Sequence, residues 1–335
     1  MSSLQSLYSL PLALFLCLFL LCLADARRPR HYRPRPYRTL YVDQTGNGNF
    51  STIQSAIDYV PENNKNWIFI RITAGTYREK VKIPYNKPNI VLKGAAKRRT
   101  VVVWDDYQSL AQSPTFMSLA DNIVVKSMTF VNSYNSPNSN RPMTPAVAAM
   151  ITGDKCSFHR VGFIGLQDTL WDDQGRHYFH RCTIQGAVDF IFGSGQSVYE
   201  NCAIVVRGDT LEPGLPGFIT AQGRTNPTDG NGFVFKNCAV FGSGSAFLGR
   251  PWRGYSRVLF YNSSLSRVVQ PGGWEAWNFV GHEWQLTFAE FGNYGPGSNS
   301  RMRVKWAKKL SLQDVNQLTS MSFIDREGWL QSQPV

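Results

Sequence analysis

Two aspartates in this chain stand in apolar surroundings, where a lone carboxylate is costly. Asp168 lies in Gln-Asp-Thr-Leu, and Asp189, 21 residues later, lies in Val-Asp-Phe-Ile-Phe. A buried carboxylate persists only when it is paired, hydrogen-bonded or held in its neutral form. Two side by side do not both ionise cheaply, so one keeps its proton near neutrality while the other carries charge. An acid beside a base equips a site for glycoside hydrolysis, ester hydrolysis or proton transfer. Gln167 adds an amide donor next to Asp168. Arg250, in Leu-Gly-Arg-Pro-Trp, adds a cation able to hold one carboxylate ionised and aimed. Taken alone, Arg250 fits a structural ion pair equally well.

Other chemistries find less support. No Gly-x-Ser-x-Gly elbow is present, and no Gly-rich phosphate loop precedes a helix. The five histidines lack metal-ligand spacing, and His177 and His180 read as structural strand residues. We therefore expect neither a metal nor a cofactor.

The elements that must position these residues are short strands. After Thr39 the chain reads as strand, Gly-rich turn and a short helix ended by Pro61, followed by two strands around a turn. Beyond that, no amphipathic helical period appears for well over a hundred residues. Short runs of Val, Ile, Phe and Tyr alternate with Gly, Asn and Asp clusters.

Six of these runs share a pattern. They begin at Val125, Phe158, Phe179, Tyr199, Phe235 and Phe260, at steps of 33, 21, 20, 36 and 25 residues. A base period of 20 to 25 with loop insertions predicts the stacked coils of a parallel β-helix, each covering its neighbour's open edge. A β-sandwich explains the short strands but not the recurring unit. In the β-helix register, Asp168 is Phe158 plus ten and Asp189 is Phe179 plus ten. The two would then occupy one phase of successive coils, with strands about 4.8 Å apart. Asp209 sits at the same offset from Tyr199, but its Gly- and Pro-rich context reads as a departing loop.

Residues 1–26 read as a secretory signal, with an apolar run closing on Ala24-Asp25-Ala26; the run is too short for a membrane span. Residues 27–38, with six arginines and three prolines, read as a solvated basic arm, and residues 39–335 as the main domain. Four cysteines remain after signal removal. Cys182, Cys202 and Cys238 share a phase, so Cys202–Cys238 is a candidate disulfide, with Cys182–Cys202 the competing pair. Asn49 and Asn262 begin N-glycosylation sequons. The net charge of +12 suits an anionic partner. With no nucleic-acid motif and a secreted chain, an acidic glycan is the better fit, and no membrane partner is expected after signal cleavage.

Gly-Thr-Tyr-Arg-Glu-Lys-Val, Gly-Leu-Gln-Asp-Thr-Leu-Trp-Asp-Asp, Gly-Ala-Val-Asp-Phe-Ile-Phe-Gly, Gly-Phe-Ile-Thr-Ala-Gln-Gly-Arg and Leu-Gly-Arg-Pro-Trp occur in that order. In these motifs the chain resembles the plant pectin methylesterases (pectinesterases), from about Tyr41 to its C-terminus, in the form without the inhibitory pro-domain. The resemblance implies an all-β, single-stranded right-handed parallel β-helix with a short N-terminal helix and a C-terminal extension. It implies a monomeric cell-wall enzyme acting on methyl-esterified homogalacturonan and open to a proteinaceous inhibitor. Asp189 would be the nucleophile, Asp168 the general acid/base, Gln167 an oxyanion donor and Arg250 the residue orienting Asp189. Trp252, Trp274, Phe190 and Trp171 would contact substrate, Trp171 standing where tyrosine is commoner.

One departure matters. Pro145-Ala-Val-Ala replaces the family's Gln-Ala-Val-Ala, removing a second oxyanion donor. A catalytically weak pectin-binding wall protein is therefore the alternative to an active esterase. A lyase or glycosidase on the same fold lacks the acidic cluster expected for calcium.

Overall fold

The structure is a computed structural model describing residues 38–136 and 141–334. The signal segment and nearly all of the basic arm lie outside the described residues. Arg38 is the exception: it opens the first strand, Arg38–Val42, and its guanidinium donates to Tyr59 Oη at 2.7 Å.

Among the described residues every strand pairing is parallel, and the strands form three sheets of ten, eight and seven members. The chain visits the sheets in rotation, so each circuit lays one rung on all three. This is a parallel β-helix. The ladder on the ten-stranded sheet aligns Val125, Phe158, Phe179, Tyr199, Phe235 and Phe260 in one continuous register. Those are the six positions at which the sequence repeat begins. Their side chains point inward and stack. Phe158–Phe179, Phe179–Tyr199, Tyr199–Phe235 and Phe235–Phe260 ring centroids lie 4.4–4.9 Å apart, one coil above the next. Offset stacking at that range adds roughly 0.5–1.5 kcal/mol per pair beyond the area buried.

Non-repeating segments close one end of the helix core and cover part of one face. Ile53–Asp58 forms the short N-terminal helix. Thr52 caps it, and the Glu79 carboxylate accepts from the free N–H groups of Ile53 and Gln54 at 2.9 Å. Near the C-terminus, Phe323, Ile324 and Trp329 pack on Val198, Val234 and Leu259, on the outer face of the ten-stranded sheet.

Turns between strands repeat as faithfully as strands. Where the chain leaves the ten-stranded sheet, one residue per coil takes left-handed φ: Ser127, Arg160, Arg181, Asn201, Asn237 and Asn262, at 47–56°. Asparagine tolerates this region best among residues with a Cβ. Asn262 is exposed there, and Asn49 is exposed while its Oδ1 accepts from the Tyr41 N–H. Both sequons can therefore be reached by a transferase, and glycosylation at either is a proposal.

The Cys202–Cys238 disulfide is not formed. Cys156, Cys182, Cys202 and Cys238 are all free and buried. The three in-phase cysteines sit on parallel coils with their side chains running alongside one another. A disulfide needs the two Cβ groups turned toward each other. Each thiol instead approaches a carbonyl of the preceding coil: Cys182 to Phe158, Cys202 to Phe179 and Cys238 to Tyr199, at 3.2–3.3 Å.

Candidate active site

Asp168 and Asp189 sit two residues before strands of the seven-stranded sheet, Leu170–Asp172 and Ile191–Gly193, at the same turn of successive coils. Gln167 bridges to Val188, and Leu170 pairs with Ile191, which sets Asp168 beside Asp189. Both have left-handed φ, 58° and 47°. Such a conformation costs an L-residue on the order of 1–2 kcal/mol, and strained residues of this kind gather at functional sites. The strain turns both carboxylates out of the strand line into one cavity of about 260 Å³. Gln167, Phe192, Arg250, Trp252 and Trp277 are among its other walls.

The two carboxylates meet different surroundings. Asp189 receives a bidentate pair from Arg250, Nε to Oδ1 at 2.9 Å and Nη2 to Oδ2 at 2.6 Å. Burial leaves the Asp189 pKa above its ordinary value, and the two charge-assisted bonds to Arg250 limit that rise. Asp168 has no such partner. Burial, and then the charge of Asp189, push it up to about 8, with Arg250 opposing only at a distance. Arg250 thus favours the ionised, aimed form of Asp189, while the surroundings of Asp168 favour its protonated form.

Arg250 is itself held in place. Its guanidinium lies between two aromatic rings, 4.0 Å from the Phe218 centroid and 4.1 Å from that of Trp277. A desolvated cation between two π faces gains about 2 kcal/mol or more. The stacking fixes the plane of the guanidinium and hence the direction of Asp189. Neither Phe218 nor Trp277 stands out in the sequence alone. Both signals are there, in Gly-Phe-Ile-Thr-Ala and in Gly-Gly-Trp-Glu-Ala-Trp, where the second tryptophan lines the site rather than the first.

Two expected substrate contacts move to the core. Trp274 is 1% exposed and stacks on Phe288 at 4.7 Å. Phe190 is fully buried. It follows the left-handed Asp189, which breaks strand alternation, so it turns inward against Gly186, where a Cβ would collide with it. Phe192 faces the cavity in its place. Trp252 lines the cavity, and Trp171, in register with Phe192 on the neighbouring strand, stacks on it at 5.4 Å on the same face of the sheet.

Pro145 precedes Ala146, whose N–H bonds to the Gln167 carbonyl at 3.2 Å. It therefore neighbours the site without supplying a donor. A larger hollow of about 430 Å³, between Lys82 and Met150, lies on the same sheet but is lined by no carboxylate. His177 is fully buried in the core, and Asp209 is a half-exposed loop residue paired with Arg207 at 3.0 Å. No group of three or more potential metal ligands occurs among the described residues.

Comparison with known proteins places this geometry in context. A family model described as Pectinesterase matches residues 39–327. From Arabidopsis thaliana, the protein named "Probable pectinesterase 29" is 65% identical over 300 residues, spanning 88% of this chain and 90% of its own length. "Probable pectinesterase 55" from the same plant is 60% identical over 311 residues, spanning 92% and 94%. Among solved structures, carrot pectin methylesterase superposes with a TM-score of 0.82 at 29% identity, over 90% of this chain and 97% of that one. A pectin methylesterase in complex with a hexasaccharide does so with a TM-score of 0.73 at 25% identity, over 87% and 97%.

Proposed function

The chain belongs to the pectinesterase family and is a carboxylic ester hydrolase, and we propose that it removes C6 methyl esters from homogalacturonan in the cell wall by covalent aspartate catalysis. The observation that carries this reading is the asymmetry of the two carboxylates: one clamped by Arg250, the other unpartnered and protonated in the same cavity.

Asp189 attacks the ester carbonyl. The carbonyl oxygen takes up negative charge, and the Gln167 amide, free of protein partners, donates to it. As the tetrahedral species collapses, Asp168 gives its proton to the leaving methoxy group. Methanol departs, leaving an anhydride between Asp189 and the galacturonyl carbon. Asp168, now ionised, takes a proton from water. The hydroxide released attacks the anhydride, yielding the free acid and regenerating both aspartates in their starting forms. Trp252 and Phe192 supply aromatic surface for sugar rings. A related esterase has been solved with a hexasaccharide, which supports an oligosaccharide in this cleft.

Localisation to the wall rests on the signal-like N-terminus and on the basic charge, which suits a polyanionic product. No described helix is long and apolar enough to cross a membrane. A monomer open to a protein inhibitor remains the expectation.

Pro145 favours the second reading, a weak esterase that chiefly binds pectin. One missing oxyanion donor costs on the order of 2.7–4 kcal/mol in other acyl-transfer sites. Methanol release from highly esterified pectin decides between them, measured for wild type, Asp189→Asn and Pro145→Gln. The enzyme reading expects Asp189→Asn to lose roughly 10⁴-fold, and Pro145→Gln to gain about tenfold or more. A wild-type rate no greater than that of Asp189→Asn would overturn it.

A further inference from the structure

On the outer face of the ten-stranded sheet, away from the catalytic cavity, basic residues follow one another rung by rung. Arg71 pairs in register with Lys93, Lys93 with Lys126, Lys126 with His159, and His159 with His180. A second row runs alongside at the turn that follows each strand, where Arg160 and Arg181 stack, their main-chain N–H groups bonding to His180 and Glu200 of the next coil. None of Arg71, Lys93, Lys126, Arg160 or Arg181 is ion-paired to a described carboxylate.

This arrangement works against the fold. Like charges directly opposite on neighbouring strands are destabilising. The same ladder shows the remedy on the next rung, where Glu200, in register with His180, meets Lys236 at 3.1 Å. The turn row carries a second cost. Its left-handed position holds asparagine at 201, 237 and 262, the residue best suited to it, but arginine at 160 and 181 with φ of 55° and 54°. Burial lowers the pKa of Lys126, and Lys93 and Arg160 lower it further. Burial likewise takes His159 down to about 4, helped by Lys126, His180 and Arg160. With His159 neutral, the positive charge is carried by Arg71, Lys93, Lys126, Arg160 and Arg181, one on each of five successive coils, four steps or about 19 Å along the helix axis.

We propose that this two-row basic ridge is a second binding site, distinct from the catalytic cleft, for a linear polycarboxylate: de-esterified galacturonan. The identity of the ligand rests on the esterase reading above, since the product of that reaction is such a chain. The ridge is long, narrow and regularly spaced, as a rod-like polyanion requires. From Lys93 to His180 it holds no exposed large apolar side chain of the kind that inserts into a lipid layer. Sitting on another sheet, it retains a finished stretch of polymer while the cleft works on an esterified one.

The test uses the full secreted chain and a quadruple variant, Lys93→Ser, Lys126→Ser, Arg160→Asn and Arg181→Asn. The two asparagines restore the residue preferred at left-handed φ, so a melting temperature at or above wild type certifies the fold. Binding to fully de-esterified polygalacturonate should weaken about tenfold and become less dependent on salt. Methanol release from a short esterified oligogalacturonide should stay within about twofold. Unchanged polygalacturonate binding by the folded variant overturns the proposal. Tighter binding of wild type to phosphatidylserine vesicles than to polygalacturonate, lost in the variant, overturns the polysaccharide assignment. Should wild type release no methanol yet lose polygalacturonate binding in the variant, the esterase reading fails and the ridge stands.

Discussion

Three residues separate Asp168 from Asp172, yet the two carboxylates live in opposite circumstances. Asp172 points into the helix core and is fully buried. Its Oδ1 lies 2.5 Å from His177 Nδ1, and its Oδ2 accepts from Tyr199 Oη at 2.5 Å. His177 Nε2 faces the Gly153 carbonyl at 2.8 Å. Both ring nitrogens face acceptors, so both donate. Although burial opposes the charge, Asp172 and the two hydrogen bonds outweigh it and raise the His177 pKa above its ordinary value. Every polar atom in this cluster is satisfied. Asp168 faces the cavity with no side-chain partner, beside a second carboxylate whose bonds all go to Arg250. A satisfied buried network rigidifies a fold, whereas an unsatisfied one stores free energy that chemistry can use. The same residue type serves as a staple in one place and as a reagent in the other.

The sharpest way to break that contrast is to remove the staple. Asp172→Ala strands a buried imidazolium and a phenol, and should destabilise the protein by about 3–5 kcal/mol. Chemical denaturation measures it; a loss below about 1 kcal/mol would mean the network is not structural.

At the site, the corresponding cut is Arg250→Gln. Without its clamp Asp189 is less readily ionised, so the rate should drop by roughly 10²-fold. The acidic limb of the pH–rate profile should move to higher pH, because the cation that holds the Asp189 pKa down is gone. A rate loss with no movement of that limb would make Arg250 a scaffold only.

A smaller effect of opposite sign distinguishes reagent from staple. The folded-state pKa of Asp168 lies above its unfolded value, so its contribution to stability is fully present below about 4. That contribution is lost as pH rises through about 8. Asp168→Asn should then leave stability near pH 4 unchanged and add about 0.5–2 kcal/mol above pH 8, while abolishing turnover. Thermal melts at both pH values check it, and a destabilised variant at high pH would contradict the account.

Much of this architecture is legible in the order and spacing of the residues. The six aromatic and valine starts fall in one register because a β-helix repeats the same inward position every coil, and sequence spacing records it directly. The same offset places Asp168 beside Asp189. What spacing does not convey is side-chain direction around the left-handed turns. Strand alternation fails after Asp189, which sends Phe190 inward and leaves Phe192 at the cavity. Equal phase likewise suggests a Cys202–Cys238 bond, yet parallel coils place such thiols alongside rather than facing each other. Trp274 and Trp277 differ by three residues in an irregular segment with no period to choose between them. Arg250's aromatic sandwich depends on rings contributed from 32 residues before it and 27 after, which no local pattern links.

The central claim is that Asp189 works ionised while Asp168 works protonated. It is tested most directly by the pH dependence of kcat/KM for methanol release, from about pH 5 to about pH 10, which reports the ionisations of the free enzyme. The account predicts a bell whose falling limb lies near pH 8, where Asp168 loses its proton. A rate that continues to rise past that point would contradict it.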